Sequence, residues 1–266
     1  MGSVTYQDGI AILQLIIFPF ILVASLFIWK RTGWRVGSKI WRYPFTLSLI
    51  RLAGSIATLI SINNDSKDVQ IAIFVCELIG IAPLLLAYVG ILRLIDMEKK
   101  IPPRPLALVT LMAFIGLILG IVGVSTADNN GGYTPGNLTK AAMGLFLAVY
   151  AITMILTVWL FYSFSLAMLS YQKKLFLSIA LSAPFLLVRL IYSALGDYTS
   201  YRHFSIESLV LNDHTSVTVY LCMSVLEEII CMVIAMVFGV SAILASDFVK
   251  PTPEREMDPK ERPNGV

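Results

Sequence analysis

The sequence predicts an all-α membrane protein with seven transmembrane helices. Three observations carry that prediction. Hydrophobic residues make up 57% of the 266 and charged residues only 14%, a balance too apolar for an ordinary soluble domain. The charges cluster, leaving runs with few or no charges that are long enough to cross about 30 Å of hydrocarbon as helices. The basic residues fall mainly in alternate connections, the pattern of a chain that weaves through a bilayer.

The first span, near 9–29, lacks the basic leading segment of a cleavable signal and is too long for one, so it reads as a retained helix. The second, 43–62, opens on Tyr43-Pro44-Phe45 and carries Arg51 well inside. The third, 70–95, carries Glu77 near its start and Arg93 about a turn from its end, where a long side chain is expected to snorkel to the boundary. The fourth, 105–126, has no charge. The fifth, 141–169, is rich in aromatic residues, and the sixth, 174–196, carries Pro184 and Arg189. The seventh, 216–245, holds two adjacent carboxylates, Glu227 and Glu228, deep in an apolar run. Residues 246–266, proline-rich with alternating charges, cannot bury a core and are expected to be disordered, leaving 1–245 as one transmembrane domain.

Orientation follows from the basic residues. Lys30, Arg31, Arg35, Lys39, Arg42, Lys99, Lys100, Arg104, Lys173, Lys174 and the basic residues of the tail share one side, against Lys67, Lys140 and Arg202 on the other. The N-terminus is therefore expected outside or in a lumen and the C-terminus in the cytoplasm. The sequons Asn64-Asp-Ser and Asn137-Leu-Thr fall on the outer side. The net charge of +3 comes from residues flanking the spans and implies no nucleic-acid partner. Cys76, Cys222 and Cys231 all lie within spans and read as small apolar packers.

Spans two and six share a pattern. Pro44-Phe45 precedes Arg51-Leu52, and Pro184-Phe185 precedes Arg189-Leu190. Each is followed by a span with Glu in its outer half: Glu77 in the third, Glu227 and Glu228 in the seventh. Spans 1–3 and 5–7 are thus candidates for parallel repeats joined by span 4, a 3+1+3 layout. Polar stripes at helical spacing point inward on several spans. They are Ser48, Arg51, Ser55 and Thr58; Ser182, Phe185, Arg189 and Tyr192; Tyr150, Thr153, Thr157, Phe161 and Phe164; Glu77, Leu84 and Tyr88; and Tyr220, Ser224, Glu227 and Cys231.

Charges at this depth are costly and mark function by default. Counting residues from the boundaries places Glu77 level with Arg189, roughly 10 Å below the outer surface, with Glu227, Glu228 and Arg51 deeper. Two Arg face three Glu, so one carboxyl is surplus. A carboxyl in an apolar pocket beside a second carboxylate is a candidate neutral acid, the starting point for Brønsted catalysis. The Glu227–Glu228 pair fits that description, and pure helix packing is the bland alternative. Phe74, Tyr88, Tyr150, Trp159, Phe161, Tyr162, Phe185, Tyr192 and Tyr220 lie in spans, and aromatic faces stabilise cations in a dry site. With His203 and His214 confined to one loop and no Cys-x-x-Cys, no metal site is expected. There is no aspartate-rich run to bind Mg²⁺-diphosphate, no phosphate loop, and no lysine in the seventh span for a retinal Schiff base.

Arg51-Leu-Ala-Gly, Leu86-Ala-Tyr-Val-Gly-Ile-Leu-Arg93 and Val188-Arg-Leu-Ile-Tyr192 resemble segments of fungal seven-span integral membrane proteins. The layout is similar to membrane terpene cyclases of fungal meroterpenoid pathways. That resemblance implies metal-independent, acid-initiated cyclisation in secondary metabolism without a cofactor, and no residue role is taken from it. The expectation is a cyclase (an isomerase) in the endoplasmic reticulum membrane, acting on a prenylated lipophilic small molecule or its epoxide. Glu227, Glu228 and Glu77 are the candidate catalytic residues. Arg51, Arg189, Tyr150, Tyr192, Tyr88 and Tyr220 are the candidate substrate-binding ones. The alternatives are a small-solute transporter of 3+1+3 type, with Pro44 and Pro184 as hinges, and a seven-span receptor.

Overall fold

Runs of Leu, Ile, Val, Ala and Phe fold into helices because lipid offers the backbone no other hydrogen-bond partner. In a computed structural model, residues 6–33, 40–62, 67–96, 101–126, 136–164, 168–198 and 218–245 are described. The helices are α1 (Tyr6–Thr32), α2 (Arg42–Ser61), α3 (Lys67–Ile79), α4 (Ile81–Ile95), α5 (Pro103–Ser125), α6 (Asn137–Phe164), α7 (Ser170–Tyr198) and α8 (Leu226–Ile243). A π-helical turn, Leu221–Val225, runs directly into α8. Seven stretches are long and apolar enough to cross a membrane, with α3 and α4 sharing the third.

The bundle is a circle of helices around a post. Contacts run α1–α2–α3–α5–α6–α7–α8 and close from α8 back to α1, while α4 touches α2, α5, α6 and α7 from within. The third span is accordingly 88% buried, against 22–50% for the others. Large apolar residues are exposed along the outer helices, among them Phe20, Ile118, Ile155 and Val237, as a lipid-facing surface requires. Lys30, Arg31, Arg42, Arg93, Arg104, Lys173 and Lys174 cluster near one end of the bundle, below called the basic end.

Several expectations need correction. The third span is divided into α3 and α4 at Gly80, which still keeps helical dihedrals (φ −58°, ψ −28°) and donates its N–H to the Cys76 carbonyl at 3.3 Å. Residues 170–173, read as a connection, form the first turn of α7. Arg93 does not simply reach for the boundary. It donates to the Leu106 carbonyl at 3.3 Å and the Thr110 hydroxyl at 2.9 Å, tying α4 to α5. The two prolines are not equivalent either. Pro184 lies inside α7, whereas Pro44 sits in the first turn of α2, where no hydrogen bond is lost and no hinge is made. Asn137 is the first residue of α6 and its sequon's Thr139 is buried in that helix, so the motif is not on a loop. Asn64, His203, His214 and the 246–266 tail lie outside the described residues.

Candidate functional site

Arg51, Glu77, Arg189 and Glu228 each lie about ten residues, some 15 Å, from the same end of their spans, so four helices deliver their charges to one level. This corrects the expectation that Glu77 and Arg189 are shallower than the rest. The helices continue further outward than the hydropathy boundaries suggest. At that level the four side chains form a closed ring of alternating sign. Arg51 on α2 meets Glu228 on α8 side-on, with Nε on Oε1 at 2.5 Å and Nη2 on Oε2, and its Nη1 bonds Glu77 on α3. Arg189 on α7 completes the circuit, with Nη2 at 3.1 Å from Glu228 Oε2 and 3.7 Å from Glu77 Oε1. Each guanidinium touches both carboxylates, and the four charges sum to zero. Forked Arg–carboxylate bonds are among the strongest available inside a protein, and neutrality is what makes such a cluster tolerable at membrane depth.

Two small residues fit the ring into its space. Ser224 braces it: Arg189 Nη1 donates to the Ser224 carbonyl at 3.0 Å and also to its hydroxyl, which donates to Glu77 Oε1 at 3.1 Å. Gly80 makes room. A β-carbon there would lie 2.7 Å from Arg51 Nη2, so the junction of α3 and α4 is where the guanidinium packs against bare backbone. Neither was expected as a site residue, although Gly80 stands three residues after Glu77 and Ser224 was placed on the inward stripe. The stripe Ser48, Arg51, Ser55 and Thr58 is buried as expected. Its hydroxyls, however, bond carbonyls one turn back on their own helix, and among the described residues only Ser55 also reaches another helix, at Gln14 Oε1 on α1.

The seventh-span stripe was expected to be Tyr220, Ser224, Glu227 and Cys231. Glu228 takes the place of Glu227, and the π turn is the reason. The Leu226 N–H bonds the Leu221 carbonyl five residues back, so this turn uses one residue more than an α turn and delays the register that follows. Glu228, 1% exposed, therefore lines up with Tyr220 and Ser224 and enters the ring.

Glu227 is the surplus carboxyl. It is half-buried on the seam between α7 and α8, beside the lipid-facing stripe marked by Leu226 and Val233, and its Oε2 is enclosed with no hydrogen-bond partner among the described residues. Cys231 lies one turn further along the same face, and its thiol donates to the Ser182 carbonyl on α7 at 3.5 Å.

The four tyrosines divide into two pairs. Tyr192 and Tyr220 lie close enough to Glu77 and Arg189 to couple with them, so they border the ring. Tyr88 and Tyr150 gather instead around Cys231, and the Tyr150 hydroxyl donates to the Ala183 carbonyl at 3.1 Å. Trp159, Phe161 and Tyr162, expected as cavity walls, face outward, Tyr162 being 73% exposed. Nothing is described of the Phe74 side chain. Of the cysteines, Cys222 is exposed on the lipid face rather than packed. Among the described residues no group of His, Cys, Asp and Glu could hold a metal.

A family model described as "Domain of unknown function (DUF7702)" matches residues 4–244. No curated protein and no solved structure matches the chain.

Proposed function

This chain belongs to the DUF7702 family, and we propose that it is a membrane-embedded acid catalyst, a terpene cyclase in which Glu227 gives a proton to a prenylated lipophilic substrate or its epoxide. One observation carries the reading: Glu227 is a carboxyl at membrane depth that the ring leaves out, with an enclosed oxygen bonded to nothing described. The ring's two positive and two negative charges balance without it, so Glu227 is the carboxyl left available to carry a proton. Glu77 and Glu228 are instead each engaged by two guanidiniums. They and the two Arg act as scaffold, and of the three candidate acids Glu227 alone keeps the donor role.

The chemistry needs no cofactor. The carboxyl proton adds to a terminal alkene, or to the epoxide oxygen so that a C–O bond breaks to give a hydroxyl group, and either leaves a carbocation. A neighbouring double bond attacks it to form the ring, and loss of a proton from carbon to the Glu227 carboxylate restores the acid. Tyr88 and Tyr150, grouped about Cys231 one turn from Glu227, supply aromatic faces for the cation. The position of Glu227 beside the lipid-facing stripe suits entry of substrate from the bilayer.

The test is turnover of prenylated phenols and their epoxides in microsomes carrying the protein. Glu227→Gln should lower cyclisation by about 10²–10⁴-fold, the usual weight of a general acid. Undiminished product would overturn the assignment. A second reading, transport of a small solute, draws on a different observation: ion pairs crossing four spans beside the α3–α4 junction have the form of a gate. Saturable uptake into proteoliposomes, with no cyclised product in microsomes, would favour it.

A further inference from the structure

Six buried side-chain polar atoms among the described residues lack a hydrogen-bond partner, and four of them belong to residues on or beside one face of α7. Arg189 belongs to the ring, Glu227 lies near enough to feel its charge, Tyr88 neighbours Ser182 two turns along α7 towards the basic end, and Ser178 follows one turn further. Cys231 and Ser182 connect them. The Cys231 thiol couples to Arg189, Glu227 and Tyr88 and bonds the Ser182 carbonyl, and the Ser182 hydroxyl bonds the Ser178 carbonyl. The Tyr88 hydroxyl lies against Ser182 and Cys231 without a well-formed hydrogen bond to either. From Arg189 to Ser178 is about 16 Å along α7, half the hydrocarbon thickness. One turn beyond Ser178, Lys174 stands at the basic end, its ammonium on the Ser241 carbonyl at 3.0 Å.

Each buried polar atom left without a partner costs about 1–3 kcal/mol, so isolated cases are tolerated and aligned ones share a cause. The four differ in kind. Arg Nε–H only donates, a carboxyl oxygen accepts, and the phenol and the serine hydroxyl do both. The small ligand able to satisfy all of them is one that donates and accepts, and buried water does this with about three bonds each. We propose that the inner seam of α4, α7 and α8 holds a chain of bound waters running from the Arg–Glu ring past Glu227 to the basic end. Its purpose rests on the proposed function: the waters would supply the hydrogen-bond partner that Glu227 Oε2 lacks and so hold the carboxyl in place, with no net proton exchanged, since cyclisation returns the proton to Glu227.

X-ray hydroxyl-radical labelling of the full-length protein in nanodiscs tests the chain directly, because radicals formed from bound water mark the side chains touching it. Tyr88 and Cys231 should label several-fold faster than Phe146 and Phe18, which are equally buried but in apolar surroundings. Tyr88 labelling as slowly as Phe146 would overturn the proposal. The readout needs no turnover. Fast labelling of Tyr88 together with undiminished cyclisation by Glu227→Gln would keep the waters and remove only the acid role.

Discussion

Glu227 and Glu228 are consecutive in sequence and have opposite surroundings. Glu228 is fully buried, forked onto Arg51 and in contact with Arg189, one corner of a ring that pins α2, α3, α7 and α8 together. Glu227 lies one residue away on the flank of the same helix, with a carboxyl oxygen that meets no partner among the described residues. The difference teaches that a charge count alone does not identify the reactive group. Two Arg and three Glu guarantee a surplus carboxyl, and helical register decides which one it is.

The sharpest way to break the comparison is to break the ring. Arg189→Gln should leave Glu228 and Glu77 short of a cation and destabilise the protein by about 3–5 kcal/mol, the usual penalty for orphaning one side of a buried ion pair. Thermal unfolding in detergent reads this. The double variant Arg189→Gln, Glu228→Gln should cost clearly less than the two single changes added, because the partners are lost together. Strict additivity would mean that the two residues do not interact. Next in size, Gly80→Ala pushes a methyl group against the Arg51 guanidinium and should cost about 1–3 kcal/mol. Wild-type stability would show that the α3–α4 junction yields without disturbing the ring. Ser224→Ala removes one acceptor from Arg189 and one donor to Glu77 while sparing the backbone carbonyl contact, and should cost about 1–2 kcal/mol.

The spans were legible because hydropathy is summed over some twenty residues and survives errors of a few positions at each end. The ring was legible in part, since an Arg or Glu in such a span has to find a partner inside the bundle. Its register was not. The stripe through Tyr220 assumed an unbroken α-helical period, and nothing in Leu221-Cys-Met-Ser-Val225 announces a π turn, so the inward position was assigned to Glu227. Gly80 was hidden for a related reason. Glycine is common in membrane helices as a packing residue, and only the approach of Arg51 from α2 distinguishes this one. Aromatic content misled on α6: Trp159, Phe161 and Tyr162 suit a cavity wall and a lipid surface equally well, and composition carries no information about which way they point.

The central claim is that the adjacent carboxyls divide the work, Glu228 holding the bundle and Glu227 standing outside the ring. Unfolding of Glu228→Gln and Glu227→Gln, measured side by side in the same nanodiscs, tests it most directly. Glu228→Gln should lose about 3–5 kcal/mol, and Glu227→Gln should stay within about 0.5 kcal/mol of wild type. Equal losses, or the larger loss at Glu227, would contradict the account.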